Sequence, residues 1–227
     1  MPTISETYLA IFDHDGVLVD SLECHQQAWF ELERRTKLGL TPEFIHATFG
    51  MTNPSIFRRL KGDAITEDEI RRYSDLKEEC YRDVARGRIV LLEGMRPVLD
   101  ALTSRGVKLA IGSSGPRANL ELTVTECGLD GRFAAIASLE DITHGKPDPQ
   151  IFLVAAAKSG VEPIRSVVFE DAPVGIQAAK AASMYAVGLT TTVPAAALEA
   201  AGADEVVVSL VGYDVDRLLE QLASRAK

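Results

Sequence analysis

At 227 residues, 46% of them hydrophobic and 25% charged, the chain can bury a sizeable core and is not a disordered polymer. A net charge of −9 and a pI near 5.0 exclude nucleic acid and anionic membrane as default partners, whereas a small anion needs only a few local positive groups. The start shows no basic flank with an apolar stretch, and no run of about 18 apolar residues occurs, so no membrane span and a cytoplasmic location are expected.

The first element is "YLAIFD", Tyr8 to Asp13, an apolar run that reads as a buried strand. From about Asp20 to Arg88 the patterns are helical and amphipathic, as in "LECHQQAWFELERRTKLG" and "TEDEIRRYSDLKEECYRDVARG", with no convincing β run. From Gly94 a new rhythm begins: helix "MRPVLDALTSRG", strand "VKLAIGSS", helix "PRANLELTVTECG" and strand "FAAIAS". It continues through helix "PQIFLVAAAKSG", strand "SVVFED", helix "PVGIQAAKAAS" and strand "YAVGLT". Helix "PAAALEAAG", strand "EVVVS" and helix "YDVDRLLEQLASRA" close the chain. Such alternation means right-handed crossovers and a parallel sheet covered on both faces. The expected fold is α/β, a doubly wound parallel sheet in Rossmann-like form from residues 1–19 and 89–227, with a helical domain from residues 20–88 inserted in it.

Cys24, Cys80 and Cys127 are odd in number, widely spaced and without a C-x-x-C pair, which fits reduced thiols better than a disulfide framework or a zinc site. Ligands of an open parallel sheet bind outside the carboxyl ends of its strands. There the chain delivers Asp13 and Asp15, Ser113 and Ser114, Lys146 in "GKPDP", and Glu170 with Asp171. Crowded carboxylates repel one another unless a cation neutralises them, and a site of this kind that also receives phosphate suits Mg²⁺. One carboxylate beside such an ion can attack phosphorus, and a second can protonate the leaving oxygen and later deprotonate water. Residues two apart past a strand end both face the crevice if the chain stays extended, and Gly16 permits the turn that follows. On that reading the His14 side chain points away from both aspartates and has no role.

In order along the chain, "DHDGVLVDS", "IGSSG", "GKPDP" and "VVFEDAPVGIQAA" resemble the four motifs of the haloacid dehalogenase superfamily of aspartate-nucleophile phosphotransferases. The resemblance runs from about Tyr8 to Leu189. It implies Asp13 as nucleophile and metal ligand, with Asp15 as general acid/base that also lends the metal its backbone carbonyl. It further implies Ser113 holding the transferring phosphoryl group, Lys146 neutralising nucleophile and phosphate, and Asp171 ligating Mg²⁺ with Glu170 beside it. The helical insertion would be the family's cap, closing over the site to exclude water. Dehalogenases and phosphonatases lack the second aspartate of the first motif, so Asp15 favours phosphate esters.

The subgroup most similar is that of β-phosphoglucomutase and small sugar-phosphate phosphatases. His25 in "ECHQQAW" and Trp29 match it, and Lys77 in "KEECY" aligns with a cap lysine that touches substrate phosphate once a small gap is allowed. Asn53 in "FGMTNPS" stands where the mutase carries an arginine for the distal phosphate, and losing that guanidinium fork favours a phosphatase. Expected substrate contacts are thus His25, Asn53, Lys77 and Ser114, although Lys77 also reads as a solvated lysine on a charged helix and Ser114 as a helix N-cap. The expected partner is a small phosphorylated metabolite. A mutase, a pyrophosphatase on the same fold, and a binding module without catalysis are the alternatives. Oligomeric state is not readable from these patterns.

Overall fold

The structure is a computed structural model that describes residues 7–48 and 51–225. Phe49 and Gly50 of the stretch before Asn53, and Ala226 at the end of the last expected helix, lie outside the described residues. The chain divides into two compact units, one holding the residues up to Asp20 and from Val90 onward, the other Ser21–Ile89.

The first unit opens with β1 (Leu9–Phe12), whose four residues are all buried. After the second unit come α-helix and strand in turn: α5 (Met95–Ser104), β2 (Lys108–Gly112), α6 (Arg117–Glu126), β3 (Ala135–Ala137), α7 (Gln150–Ser159) and β4 (Ser166–Glu170). They are followed by α8 (Pro173–Ala181), β5 (Tyr185–Leu189), α9 (Ala195–Ala200), β6 (Glu205–Val207) and α10 (Val215–Arg225). The six strands pair in parallel, in the order β3-β2-β1-β4-β5-β6. This is the expected doubly wound, Rossmann-like sheet. Its strand order reverses between β1 and β4, which is where such a sheet opens a crevice.

Side chains alternate across each strand. Leu9 and Ile11 join Ala110 and Val168 in an apolar cluster with Ile151 and Phe152 of α7 and Ile176 and Ala179 of α8. The intervening Phe12 and Phe169 point to the other face, where their rings stack with centroids 4.8 Å apart and Tyr213 meets Phe169 edge-on. A strand buried on both faces needs apolar residues at every position, which is why "LAIF" and "VVF" read as unbroken runs.

The second unit is helical: α1 (Leu22–Thr36), α2 (Pro42–Thr48), α3 (Asn53–Lys61) and α4 (Glu67–Ala85). α1 and α4 pack together, and Arg35 of α1 ties to Glu79 and Asp83 of α4 at 3.0 and 2.8 Å. A capping box starts α4: Glu69 N–H donates to Thr66 Oγ1 at 3.3 Å, and Thr66 N–H donates to the Glu69 carboxylate at 2.9 Å. The apolar centre is built on Trp29, Phe57 and Tyr73, with ring centroids 5.5 and 5.7 Å apart in sequence. The short α2 and α3 were not expected from periodicity, since each runs for fewer than three turns. Their sequence signals are local: Thr52 accepts from Ser55 N–H and Pro54 occupies the first turn of α3.

Cys24, Cys80 and Cys127 are buried thiols with no disulfide among them. Among the described residues no helix is long and apolar enough to cross a membrane.

Candidate active site

β1 and β4 leave the sheet side by side, with Asp13 N–H still donating to the Phe169 carbonyl at 3.0 Å. Each chain then presents its carboxylates, Asp13 on one and Glu170 with Asp171 on the other. Lys146, from the loop between β3 and α7, reaches between them. Its Nζ lies 2.7 Å from Asp13 Oδ1 and is ion-paired with Glu170 Oε1. The ammonium also sits 4.9 Å from the centroid of the Phe152 ring.

Glu170 is held from its other side. Its Oε2 accepts the N–H groups of Asp171 and Ala172, at 2.7 and 2.8 Å, where the chain enters α8. The carboxylate lies so close to that helix that a Cβ on Gly175 would overlap it. Asp171 accepts a hydrogen bond from Thr192. Gly16, at φ 75°, faces Asp171 so closely that a Cβ would overlap the carboxylate there too. Left-handed backbone and lack of space both require glycine at this position.

Asp13, Glu170 and Asp171 are buried, and one oxygen from each lies within 4.8 Å of the others. Three carboxylates face one ammonium, and the imbalance shows in their proton affinities. Burial, with Lys146 opposing it, pushes the Asp13 carboxyl from 3.8 up to about 6. Burial and then the charges of Glu170 and Asp13 push Asp171 up to about 9. For Lys146, burial alone would lower the affinity, but the charges of Asp13 and Glu170 outweigh it and raise it. A further cation would relieve this strain of like charges, and an all-oxygen donor set suits a hard ion such as Mg²⁺.

Ser113 follows β2, the other neighbour of β1. It is buried, its N–H donates to the Ala137 carbonyl, and its Oγ accepts Gly115 N–H, both at 3.1 Å. Ser114 is exposed and does not cap α6. The N-cap position is Pro116, and the Glu140 carboxylate accepts the Arg117 N–H at 3.0 Å instead.

Asp15 is half-exposed, and here the extended-chain expectation is corrected. The backbone turns directly after Asp13, with the N–H groups of Leu18 and Val19 both donating to the His14 carbonyl. The turn brings the His14 ring to Asp15 rather than away from it: Nδ1 lies 3.0 Å from Asp15 Oδ1. A strand's alternation of side chains holds only while the strand lasts.

The residues expected to touch substrate from the helical unit form one network inside it. Lys77 Nζ donates to His25 Nδ1 at 2.8 Å and to Glu78 Oε1 at 2.9 Å, and Asn53 Nδ2 donates to the same Glu78 oxygen at 2.8 Å. Lys77 is only 3% exposed, which overturns its reading as a solvated lysine. Its ammonium lies 5.6 Å from the ring centroids of both Trp29 and Tyr81, and His25 stacks on Tyr81 at 4.1 Å. Burial would raise the Glu78 carboxyl, but the neighbouring Lys77 ammonium outweighs it and the net shift is downward.

Sequence reasoning missed Thr192, Glu78 and the pairing of His14 with Thr123. Only Thr192 was within reach of the strand-end rule, since it follows β5 by three residues.

Residues 9–183 match the family model described as haloacid dehalogenase-like hydrolase. Validoxylamine A 7'-phosphate phosphatase of Streptomyces hygroscopicus subsp. limoneus is 32% identical over 201 residues, covering 84% of this chain and 89% of that protein. Fructose-1-phosphate phosphatase YqaB of Escherichia coli (strain K12) is 31% identical over 179 residues, covering 78% and 93%. A crystal structure of β-phosphoglucomutase (pgmB) from Clostridium difficile aligns with a TM-score of 0.80 at 25% identity, covering 96% of this chain and 98% of that one. The chain belongs to the haloacid dehalogenase-like hydrolases.

Proposed function

We propose that the protein is a Mg²⁺-dependent, cytoplasmic phosphatase that hydrolyses a small phosphorylated metabolite, such as a sugar phosphate, through an aspartyl-phosphate on Asp13. The observation that carries this reading is the seating of Lys146 against both Asp13 and Glu170. A buried carboxylate can approach a phosphate dianion only when positive charge offsets both, and Lys146, already paired with Asp13, would supply it.

Asp13, Glu170 and Asp171, with the Asp15 carbonyl, would hold the ion. When bound, it supplies Lewis-acid polarisation of the phosphoryl oxygens and neutralises charge that accumulates in transfer. Asp13 Oδ attacks phosphorus in line with the leaving oxygen. Ser113 would hydrogen-bond the transferring group. Asp15 gives its proton to the leaving alkoxide, so the alcohol departs neutral, and then takes a proton from the water that hydrolyses the aspartyl-phosphate. Residues 20–88 would act as the cap that excludes bulk water, with His25, Asn53 and Lys77 contributing to substrate choice. The absence of an arginine at Asn53 favours a substrate with one phosphate over a bisphosphate.

Phosphate release from a panel of phosphorylated metabolites, with pyrophosphate and β-glucose 1-phosphate included, in Mg²⁺ and in EDTA, tests the reading. Metal-dependent release from one or a few small esters is expected. Conversion of β-glucose 1-phosphate without net release would instead identify a mutase, the second reading, which the likeness to the Clostridium structure supports.

A further inference from the structure

His14 is 1% exposed, a burial that needs both ring nitrogens supplied with partners. Nδ1 lies 3.0 Å from Asp15 Oδ1, and Nε2 lies 2.6 Å from Oγ1 of Thr123, which is itself fully buried in α6. A carboxylate oxygen can only accept, so in the neutral ring Nδ1 carries the hydrogen and Nε2 accepts the Thr123 hydroxyl proton. The direction of each bond follows: Thr123 hydroxyl to Nε2, and Nδ1–H to Asp15 Oδ1.

We propose that His14 is a positioning residue for Asp15, with Thr123 locking its ring. This rests on the acid–base role of Asp15 given above. The Asp15 side chain is 41% exposed and stands on a turn, and the imidazole is a fixed neighbour for its Oδ1. The imidazole, itself fixed by α6, holds one oxygen. Oδ1 accepts from Nδ1–H, so in the acid form the proton belongs on the other oxygen, Oδ2. As the P–O bond breaks, that proton passes to the departing oxygen and Asp15 becomes the carboxylate. Proton transfer is steep in geometry, and small misplacements cost about a hundredfold.

The consequence is selective for leaving groups. An alkoxide must be protonated to depart, whereas p-nitrophenolate departs without help. kcat/KM reports steps through departure of that group, and so should be compared for p-nitrophenyl phosphate and for whichever alkyl phosphate the wild type turns over fastest. His14→Phe keeps ring volume and removes the donor. It is expected to lower kcat/KM about a hundredfold on the alkyl ester and no more than about threefold on p-nitrophenyl phosphate. His14→Asn, whose Nδ2 reproduces the donor, should recover most of that loss. Thr123→Val, nearly isosteric and tolerant of a folding failure in the ring variants, should lose about tenfold on the alkyl ester alone. Equal losses on both esters, or wild-type values in His14→Phe and Thr123→Val, would overturn the proposal. Asp15→Asn separates the two readings. If it shows the leaving-group selectivity and the His14 and Thr123 variants do not, only the positioning role falls; if it shows none, the acid–base role of Asp15 falls and the positioning role with it.

Discussion

Lys146 places its ammonium 2.7 Å from Asp13 Oδ1, across 133 residues of sequence. The same Nζ is paired with Glu170, so one lysine joins a loop to both strands that flank the crevice. The three side chains are almost wholly withdrawn from solvent, and each depends on the others for its charge.

Replacing Lys146 by Met therefore leaves two buried carboxylates without their cation. Removal of one partner from a buried ion pair destabilises by about 3–5 kcal/mol, and urea denaturation of Lys146→Met should show a loss near the lower figure, because Asp13 can take up a proton. Turnover should vanish. A variant as stable as wild type would show that the pairing carries little of the fold's stability.

Gly175→Ala reverses a familiar sign. In a helix interior alanine is usually better than glycine by about 1 kcal/mol, yet the new methyl group would overlap the Glu170 carboxylate. Overpacking of this kind costs about 1–3 kcal/mol, so thermal unfolding should show net destabilisation together with a weaker Mg²⁺ requirement curve. Stabilisation would mean that Glu170 moves aside freely.

The acidic cluster also sets a pH dependence. Asp171 keeps its proton up to about pH 9 in the folded protein but loses it above 3.8 when unfolded. Between those values the folded state binds more protons, so its stability falls as pH rises, and the loss is complete above the folded value. Mg²⁺ substitutes for those protons. Tm without metal should decline from pH 6 to pH 9, and the rise in Tm on adding Mg²⁺ should grow over the same interval. An increment independent of pH would place the ion elsewhere.

Glu78 is the charge partner of a buried lysine. Glu78→Leu should destabilise the protein by about 2 kcal/mol, within the range for lost bonds to charged groups, measurable by urea denaturation. Because Asn53 and Lys77 share one Glu78 oxygen, Asn53→Ala should cost less than Glu78→Leu.

Much of this was legible in the sequence because the residues concerned obey short-range rules. "LAIF" and "SVVF" are continuous apolar runs since both faces of a parallel sheet are covered, and the polar residues after them could be assigned to the strand ends without knowing strand order. The positions of Asp13, Ser113, Glu170 and Asp171 follow from that rule, whereas Lys146, in the loop between β3 and α7, was singled out by its place in "GKPDP". What remained hidden depends on turns and on contacts distant in sequence. His14 seemed to point outward because alternation was extended past the strand, while the turn that redirects it is set by hydrogen bonds from Leu18 and Val19. Lys77 lies on a helix full of charges, and only packing against Trp29, Tyr81 and His25 shows it to be buried. α2 and α3 are too short to display a period.

The most direct test of the account is to mix enzyme and Mg²⁺ with a phosphate-labelled substrate, stop the reaction in acid within a single turnover, and map the label by peptide. The account predicts acid-stable, alkali-labile label on the peptide carrying Asp13, absent from a folded Asp13→Asn variant that also lacks turnover. Rapid turnover with no label on the protein, or turnover retained in Asp13→Asn, would contradict it.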